Sequence, residues 1–149
     1  MSKIFIFIVS IQFLYCSNSF GKIKESDCKA FKIVQYYPLS YLKKYNGQYP
    51  QKTKLLGNNP LTKRLKILMK SRYNYLVKTW AVETPIEIKN NMFSAWGCQQ
   101  HNCSNTNFII VVDFIKNVVY VGIREEEKIK IYSEDGTGNI EITKWANRE

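Results

Sequence analysis

Hydrophobic residues in the first half of the chain recur at the spacing of an amphipathic helix. The clearest stretch is residues 61–76, where a 3.6-residue stripe of Leu and Tyr runs between Lys and Arg side chains and predicts a helix. Two shorter helices are expected before it, one capped by Ser26 or Asp27 and one over residues 40–45, which Asn46-Gly47 would end. We therefore expect helical structure before residue 80.

From residue 80 onward, most segments alternate apolar with polar residues, as strands with one buried face do, and residues 107–115 form a β-branched apolar run. The segments that predict strands are residues 86–88, 93–97, 107–115, 118–123, 128–132 and 140–143. Short polar connections between them, such as Asn90-Asn91 and Asp135-Gly136, predict tight turns. Because the helices precede the strands, we predict an α+β fold, with a central antiparallel sheet of five or six strands and N-terminal helices packed on it.

The first 21 residues have the pattern of a secretory signal peptide. Lys3 precedes an apolar run over residues 4–15, and small residues follow at Ser17, Ser19 and Gly21. The run is shorter than the roughly 20 residues that a membrane-spanning helix needs. We therefore predict a signal peptide over residues 1–21, a single domain over residues 22–149, and a periplasmic location. Lipid anchoring through Cys16 is not favoured, because the bulky Tyr15 precedes it.

Charge is distributed unevenly along the chain. The formal charge of +10 would by itself favour an anionic partner. However, residues 22–80 hold 14 Lys and Arg against 2 Asp and Glu, whereas residues 81–149 hold 7 against 10. The helical half is therefore strongly basic, which suits anionic envelope lipid or glycan, and the strand half is weakly acidic. For an exported protein we expect no nucleic acid partner.

The segment from Cys98 to Cys103 is the most unusual one and lies between two predicted strands. In an oxidising compartment, neighbouring cysteines tend to pair, which would close a small ring and leave Cys28 odd. The residues alone leave three interpretations open. The segment is a structural disulfide with an incidental polar turn, a metal site of the pattern Cys-x-x-His-x-Cys with Cys28 as a fourth ligand, or a recognition loop that inserts His101 into a partner. Export argues against free thiols and hence against the metal site.

The pattern Cys98-x-x-His101-x-Cys103 resembles the signature loop of the inhibitor of vertebrate lysozyme family, Ivy. The flanking sequence from Trp80 to the strand at residues 118–122 is similar as well, and the resemblance covers residues 80–132. It implies an α+β fold and a secreted periplasmic protein that is not an enzyme, needs no cofactor or metal, and protects peptidoglycan. The expected partner is a C-type lysozyme or a related glycosidase.

The resemblance also implies roles for individual residues. Cys98 and Cys103 would form a disulfide, and His101 would hydrogen-bond the catalytic carboxylates of the enzyme. The inhibitory loop would comprise Gln99, Gln100, His101 and Asn102. The two Gln replace the usual Lys-Pro, and Asn102 replaces what is often Asp, so the target remains open between lysozyme and the cell's own lytic transglycosylases.

C-type lysozymes are generally basic, which suits the acidic strand half of the chain. A non-catalytic envelope-binding module that uses the basic half is the alternative function. Both a monomer and a homodimer are compatible with the sequence.

Overall fold

The computed structural model describes residues 38–148. The predicted signal peptide, the helix expected after Ser26, Cys16 and Cys28 lie outside the described residues. The elements, in chain order, are a 3-10 helix (Ser40–Tyr45), α1 (Pro60–Met69), α2 (Arg72–Thr79), β1 (Val82–Glu83), β2 (Glu87–Lys89), β3 (Met92–Cys98), β4 (Thr106–Asp113), β5 (Val118–Glu125), β6 (Lys128–Ser133) and α3 (Ile140–Ala146). Within residues 38–148, no helix is long and apolar enough to cross a membrane.

The six strands form one antiparallel sheet. The main path runs β1-β3-β4-β5-β6, and β2 also pairs with β3. β3, β4 and β5 pair over seven or eight residues each, with Cys98 opposite Asn107 and Asn107 opposite Arg124. The predicted α+β fold with a central antiparallel sheet is thus confirmed.

Strand β4 lies at the centre of the sheet and is buried along its whole length. Phe108, Ile110 and Val112 face one hydrophobic core, and Ile109 and Val111 face another. Because both faces are covered, the strand carries a continuous apolar run instead of an alternating one.

The larger core lies between the sheet and the helices that precede it. Its buried members from those helices include Leu42, Leu61, Leu65, Met69, Tyr73 and Leu76. Asn59 caps α1, since its side chain accepts a hydrogen bond from the backbone N–H of Thr62 at 2.9 Å. The predicted packing of N-terminal helices on the sheet is therefore present on this face.

The helix predicted over residues 61–76 is in fact two helices. α1 ends at Met69, and Lys70 adopts a left-handed conformation with φ of 52° before α2 begins at Arg72. The prediction failed because Met69, Tyr73 and Leu76 are buried on both sides of the break, so the apolar stripe continues through it.

The strand predicted over residues 140–143 is wrong, because this segment begins α3. The side chain of Asn139 accepts a hydrogen bond from the N–H of Glu141 at 2.9 Å and so caps the helix. Ile142 and Trp145, three residues apart, pack on the second face of the sheet. Helices therefore cover both faces, and they are not all N-terminal.

Candidate functional site

The segment between β3 and β4 is a loop closed by a disulfide. Cys98 is the last residue of β3 and is buried, whereas Cys103 is partly exposed; their sulfurs are bonded and their Cα atoms are 5.0 Å apart. The predicted pairing is confirmed. The bond uses both thiols, and no group of three metal-ligating side chains occurs within residues 38–148.

The sheet hydrogen bonding extends into the base of the loop. Gln99, which directly follows β3, donates its N–H to the carbonyl oxygen of Thr106 at 3.0 Å. The disulfide and this bond together hold the two arms of the loop close to each other. The loop is thus an extension of the β3–β4 hairpin and takes its orientation from the centre of the sheet.

Asn102 organises the interior of the loop. Its N–H donates to the carbonyl oxygen of Gln99 at 3.1 Å, and its side-chain amide donates to Gln99 Oε1 at 2.9 Å and Thr106 Oγ1 at 3.2 Å. Its side-chain oxygen accepts from Asn105 Nδ2 at 3.0 Å, and its carbonyl oxygen accepts from the N–H of Thr106 at 2.8 Å. These bonds fix the loop from inside, in addition to the disulfide.

His101 lies at the exposed turn of the loop. Its φ is +60°, a left-handed conformation in which His, Asn and Asp are enriched among non-glycine residues. Among residues 38–148, no side chain or backbone group hydrogen-bonds its imidazole, and Gln99 and Gln100 beside it are exposed too. The loop therefore presents an imidazole with both ring nitrogens available to a partner.

The turn between β5 and β6 lies against the loop. The N–H of Glu126 donates to the carbonyl oxygen of Asn105 at 2.7 Å. Glu126 and Glu127 are exposed, while Glu125 forms an ion pair with Arg72 of α2. This turn therefore brings negative charge beside Asn105, whereas Arg124 and Arg148 line a recess together with Cys103 and Ser104.

The structure also brings to the loop a residue that the sequence did not single out. Asn107 Nδ2 donates to the carbonyl oxygen of Cys103 at 2.9 Å, and Asn107 Oδ1 accepts from the indole of Trp145 at 2.9 Å. The local sequence gives a weak indication of a role for Asn107, since it is a polar residue in an apolar strand segment. It gives no indication of the contact made by Trp145, because the two residues are 38 positions apart.

The basic surface expected on the first long helix is smaller than the sequence suggests. Arg64 is 1% exposed and forms an ion pair with Glu134 of the segment after β6. Lys63, Lys66 and Lys70 remain exposed. The guanidinium of Arg64 thus has a structural role in the interior and is not part of an exposed binding surface.

The comparisons with known proteins gave one match. A family model described as "Inhibitor of vertebrate lysozyme (Ivy)" matches residues 60–148. No curated protein and no solved structure matches. The matched stretch contains α1, α2, the whole sheet, the disulfide loop and α3, and is thus wider than the part of the sequence that carries the loop pattern.

Proposed function

Because the chain belongs to the Ivy family of inhibitors of vertebrate lysozyme, we propose that it is an exported periplasmic protein that blocks C-type lysozyme. The disulfide-closed loop between β3 and β4 enters the active-site cleft of the enzyme. The inhibitory residues are Gln99, Gln100, His101 and Asn102. The chain itself performs no catalysis in this proposal.

One observation carries the proposal: the imidazole of His101 is exposed, unpaired within residues 38–148, and held at the turn of a closed loop. Retaining glycosidases place two carboxyl groups about 5–5.5 Å apart on either side of the scissile bond. A protonated imidazole has two N–H donors and no acceptor. Such a ring can donate to both carboxylates, and hydrogen bonds between two charged groups are stronger than neutral ones.

The internal bonds of the loop support this role. A flexible loop loses conformational freedom when it enters a cleft, and this loss weakens binding by about 0.5–1.5 kcal/mol for each immobilised side chain. In this chain the disulfide and the hydrogen bonds of Asn102 order the loop before it meets a partner. Less of the interaction energy is then offset by ordering of the loop, so binding is tighter than it would be with a flexible loop.

The acidic balance of the strand half and of the β5–β6 turn fits a basic enzyme. The strand half of the chain is acidic, and the exposed Glu126 and Glu127 lie on the turn that contacts the loop. Complementary charge speeds encounter and disfavours wrong partners more than it raises affinity. We therefore expect association with a basic lysozyme to slow as salt is added.

The neutral Gln99 and Gln100 leave the choice of target to experiment. The chain without residues 1–21 is purified in its oxidised form and added to C-type lysozymes and to lytic transglycosylases acting on a cell-wall substrate. The proposal expects slowing of at least one C-type lysozyme at a stoichiometric or modest excess of inhibitor. If lytic transglycosylases alone are slowed, the chain regulates the cell's own enzymes. If no enzyme is slowed, the proposal is wrong.

A second candidate function rests on the exposed face of α1, where Lys63, Lys66 and Lys70 lie. A basic surface of this kind suits anionic lipid or glycan of the envelope. The candidate predicts binding to anionic vesicles that decreases with salt and is lost when Lys66 and Lys70 are changed to Glu. His101→Asn would leave that binding unchanged, which separates it from enzyme inhibition.

A further inference from the structure

Helix α3 is connected to the disulfide loop by two consecutive hydrogen bonds. The indole Nε1 of Trp145 donates to Asn107 Oδ1 at 2.9 Å, and Asn107 Nδ2 donates to the carbonyl oxygen of Cys103 at 2.9 Å. We infer that Trp145 and Asn107 are positioning residues, through which α3 sets the place of the loop. The consequence for inhibition rests on the function proposed above.

The orientation of the Asn107 amide follows from the chemistry of its two neighbours. An indole N–H is only a donor, and a backbone carbonyl oxygen is only an acceptor. The side-chain oxygen of Asn107 must therefore face Trp145, and its NH₂ must face Cys103. If the indole N–H is removed, the amide loses the contact that holds it in this orientation.

Trp145 is itself fixed on the sheet. It is 3% exposed, and an added Cβ on Gly122 would lie only 2.3 Å from its ring, so the indole rests directly on the backbone of β5. The guanidinium of Arg124, also on β5, donates to the carbonyl oxygens of Ala146 at 3.0 Å and Arg148 at 3.1 Å. The end of α3 is thereby anchored to the sheet, which gives the indole a rigid support.

Within residues 38–148, the carbonyl oxygen of Cys103 has no partner in the backbone hydrogen bonding of the sheet. Cys103 follows the turn at His101 and precedes β4, and among the described residues no backbone N–H donates to its carbonyl oxygen. The Asn107 amide supplies that donor. The arm of the loop that carries Cys103 is thus held by α3 through Asn107 in addition to the disulfide, whereas the other arm continues from the end of β3.

The inference is tested on the full chain with a matched pair of variants. Trp145→Phe keeps an aromatic ring on Gly122 but removes the N–H that holds Asn107. Trp96→Phe makes the same chemical change in β3, on the same face of the sheet and beside the same recess as Cys103 and Asn107, so it controls for the loss of ring area there. Within residues 38–148, the indole of Trp96 makes no hydrogen bond. Amide hydrogen exchange of Asn102, Asn105 and Thr106, thermal unfolding, and the inhibition constant for a C-type lysozyme are measured for each variant.

We expect Trp145→Phe to speed amide exchange in the loop and to raise the inhibition constant about 3- to 10-fold, because part of the preorganisation is lost. Trp96→Phe should leave both unchanged. Equal amide exchange rates in the loop of the two variants would overturn the inference. Faster exchange with an unchanged inhibition constant would overturn its link to inhibition.

Two further outcomes remain decisive. If the wild-type chain inhibits no enzyme, the proposed function fails, and loop exchange alone still decides whether α3 positions the loop. If Trp145→Phe does not fold, Asn107→Asp replaces it. That variant keeps an acceptor for the indole but removes the NH₂ that reaches Cys103, and it should loosen the same amides.

Discussion

The indole of Trp145 occupies the space that a side chain on Gly122 would need. A Cβ added to Gly122 would come 2.3 Å from Cζ3 of the ring, far inside van der Waals contact. The opposite face of the sheet repeats this relationship, since a Cβ on Gly97 would come 2.1 Å from the ring of Trp80. Two glycines thus let two tryptophans rest on the backbone of β3 and β5, the strands on either side of β4, and one of these tryptophans supports the proposed inhibitory loop.

Gly122→Ala should destabilise the protein. The added methyl group must displace a buried ring whose indole N–H is hydrogen-bonded to Asn107, and overpacking of this kind costs about 1–3 kcal/mol. Gly138→Ala is the control, because no atom lies within 4 Å of an added Cβ there and the backbone is not left-handed. Urea unfolding of both variants measures the difference, and equal midpoints would contradict the packing described for Trp145.

Glu134→Gln should be destabilising because it removes a carboxylate that forms an ion pair with the buried guanidinium of Arg64. Arg64 is 1% exposed and also donates to Asn117 Oδ1 at 2.9 Å, so it cannot turn to water. Breaking a buried pair by removing one partner costs about 3–5 kcal/mol. Glu125→Gln breaks the more exposed pair with Arg72 and should cost at most about 1 kcal/mol. If chemical unfolding gives the same loss of unfolding free energy for the two variants, the difference in burial between the two ion pairs does not determine their contribution to stability.

Asp135 should make stability depend on pH in the acid range. Asp135 is exposed, and the slight desolvation that raises the pKa of its carboxyl is outweighed by hydrogen bonds from the N–H of Thr137 and the hydroxyls of Ser133, Thr137 and Tyr120, which lower the pKa from 3.8 to about 2. Because the folded pKa is the lower one, the stabilisation is fully present above pH 3.8 and is lost as the pH falls towards 2. Carboxyl NMR titration measures the pKa directly, and a normal value would refute the prediction. Asp135→Asn should flatten the change in unfolding midpoint between pH 4 and 2.

Removal of the disulfide should weaken inhibition while the chain stays folded. In the Cys98→Ser/Cys103→Ser variant, the loss of a bridge over so short a ring costs on the order of 2 kcal/mol in the chain-entropy model. Cys98 is fully buried, so the Ser placed there adds the cost of a buried hydroxyl. Neither cysteine belongs to the hydrophobic clusters on the two faces of the sheet, and Asn102 still bonds Gln99 and Thr106. We expect the inhibition constant to rise about tenfold or more because the loop is ordered only on binding. Inhibition at the wild-type level would show that the disulfide is not needed for loop function.

Local patterns predicted most of the sheet. Apolar and polar residues alternate in β3 and β6, and this pattern can be recognised from a few neighbouring residues. The turn residues Asn90 and Asn91, which adopt φ of 52° and 59°, can be recognised in the same way. The disulfide and the position of the loop between two strands followed from the resemblance and the spacing of Cys98 and Cys103. These features do not depend on distant parts of the chain.

Apart from the local break at Lys70, the errors and omissions involve distant partners. The segment from Ile140 alternates over only four residues, which fits a strand as well as a helix, and the packing of Trp145 on Gly122 decides between them. Arg64 is placed like a solvent-exposed cation in the helical pattern, but it pairs with Glu134, 70 residues away. The connection from Trp145 to the loop spans 38 residues and likewise leaves no local signal.

The central claim is that His101 enters the catalytic cleft, and the inhibition constant of His101→Asn for a C-type lysozyme tests it most directly. Asn removes the imidazole but tolerates the left-handed backbone at this position, so the loop keeps its shape. Lys116→Ala, at an exposed residue of the turn between β4 and β5, away from the loop, is the control. Hydrogen bonds to charged groups contribute about 1.5–3 kcal/mol each, so the account predicts at least a roughly tenfold weaker inhibition for His101→Asn and little change for Lys116→Ala. Equal inhibition by wild type and His101→Asn would contradict it.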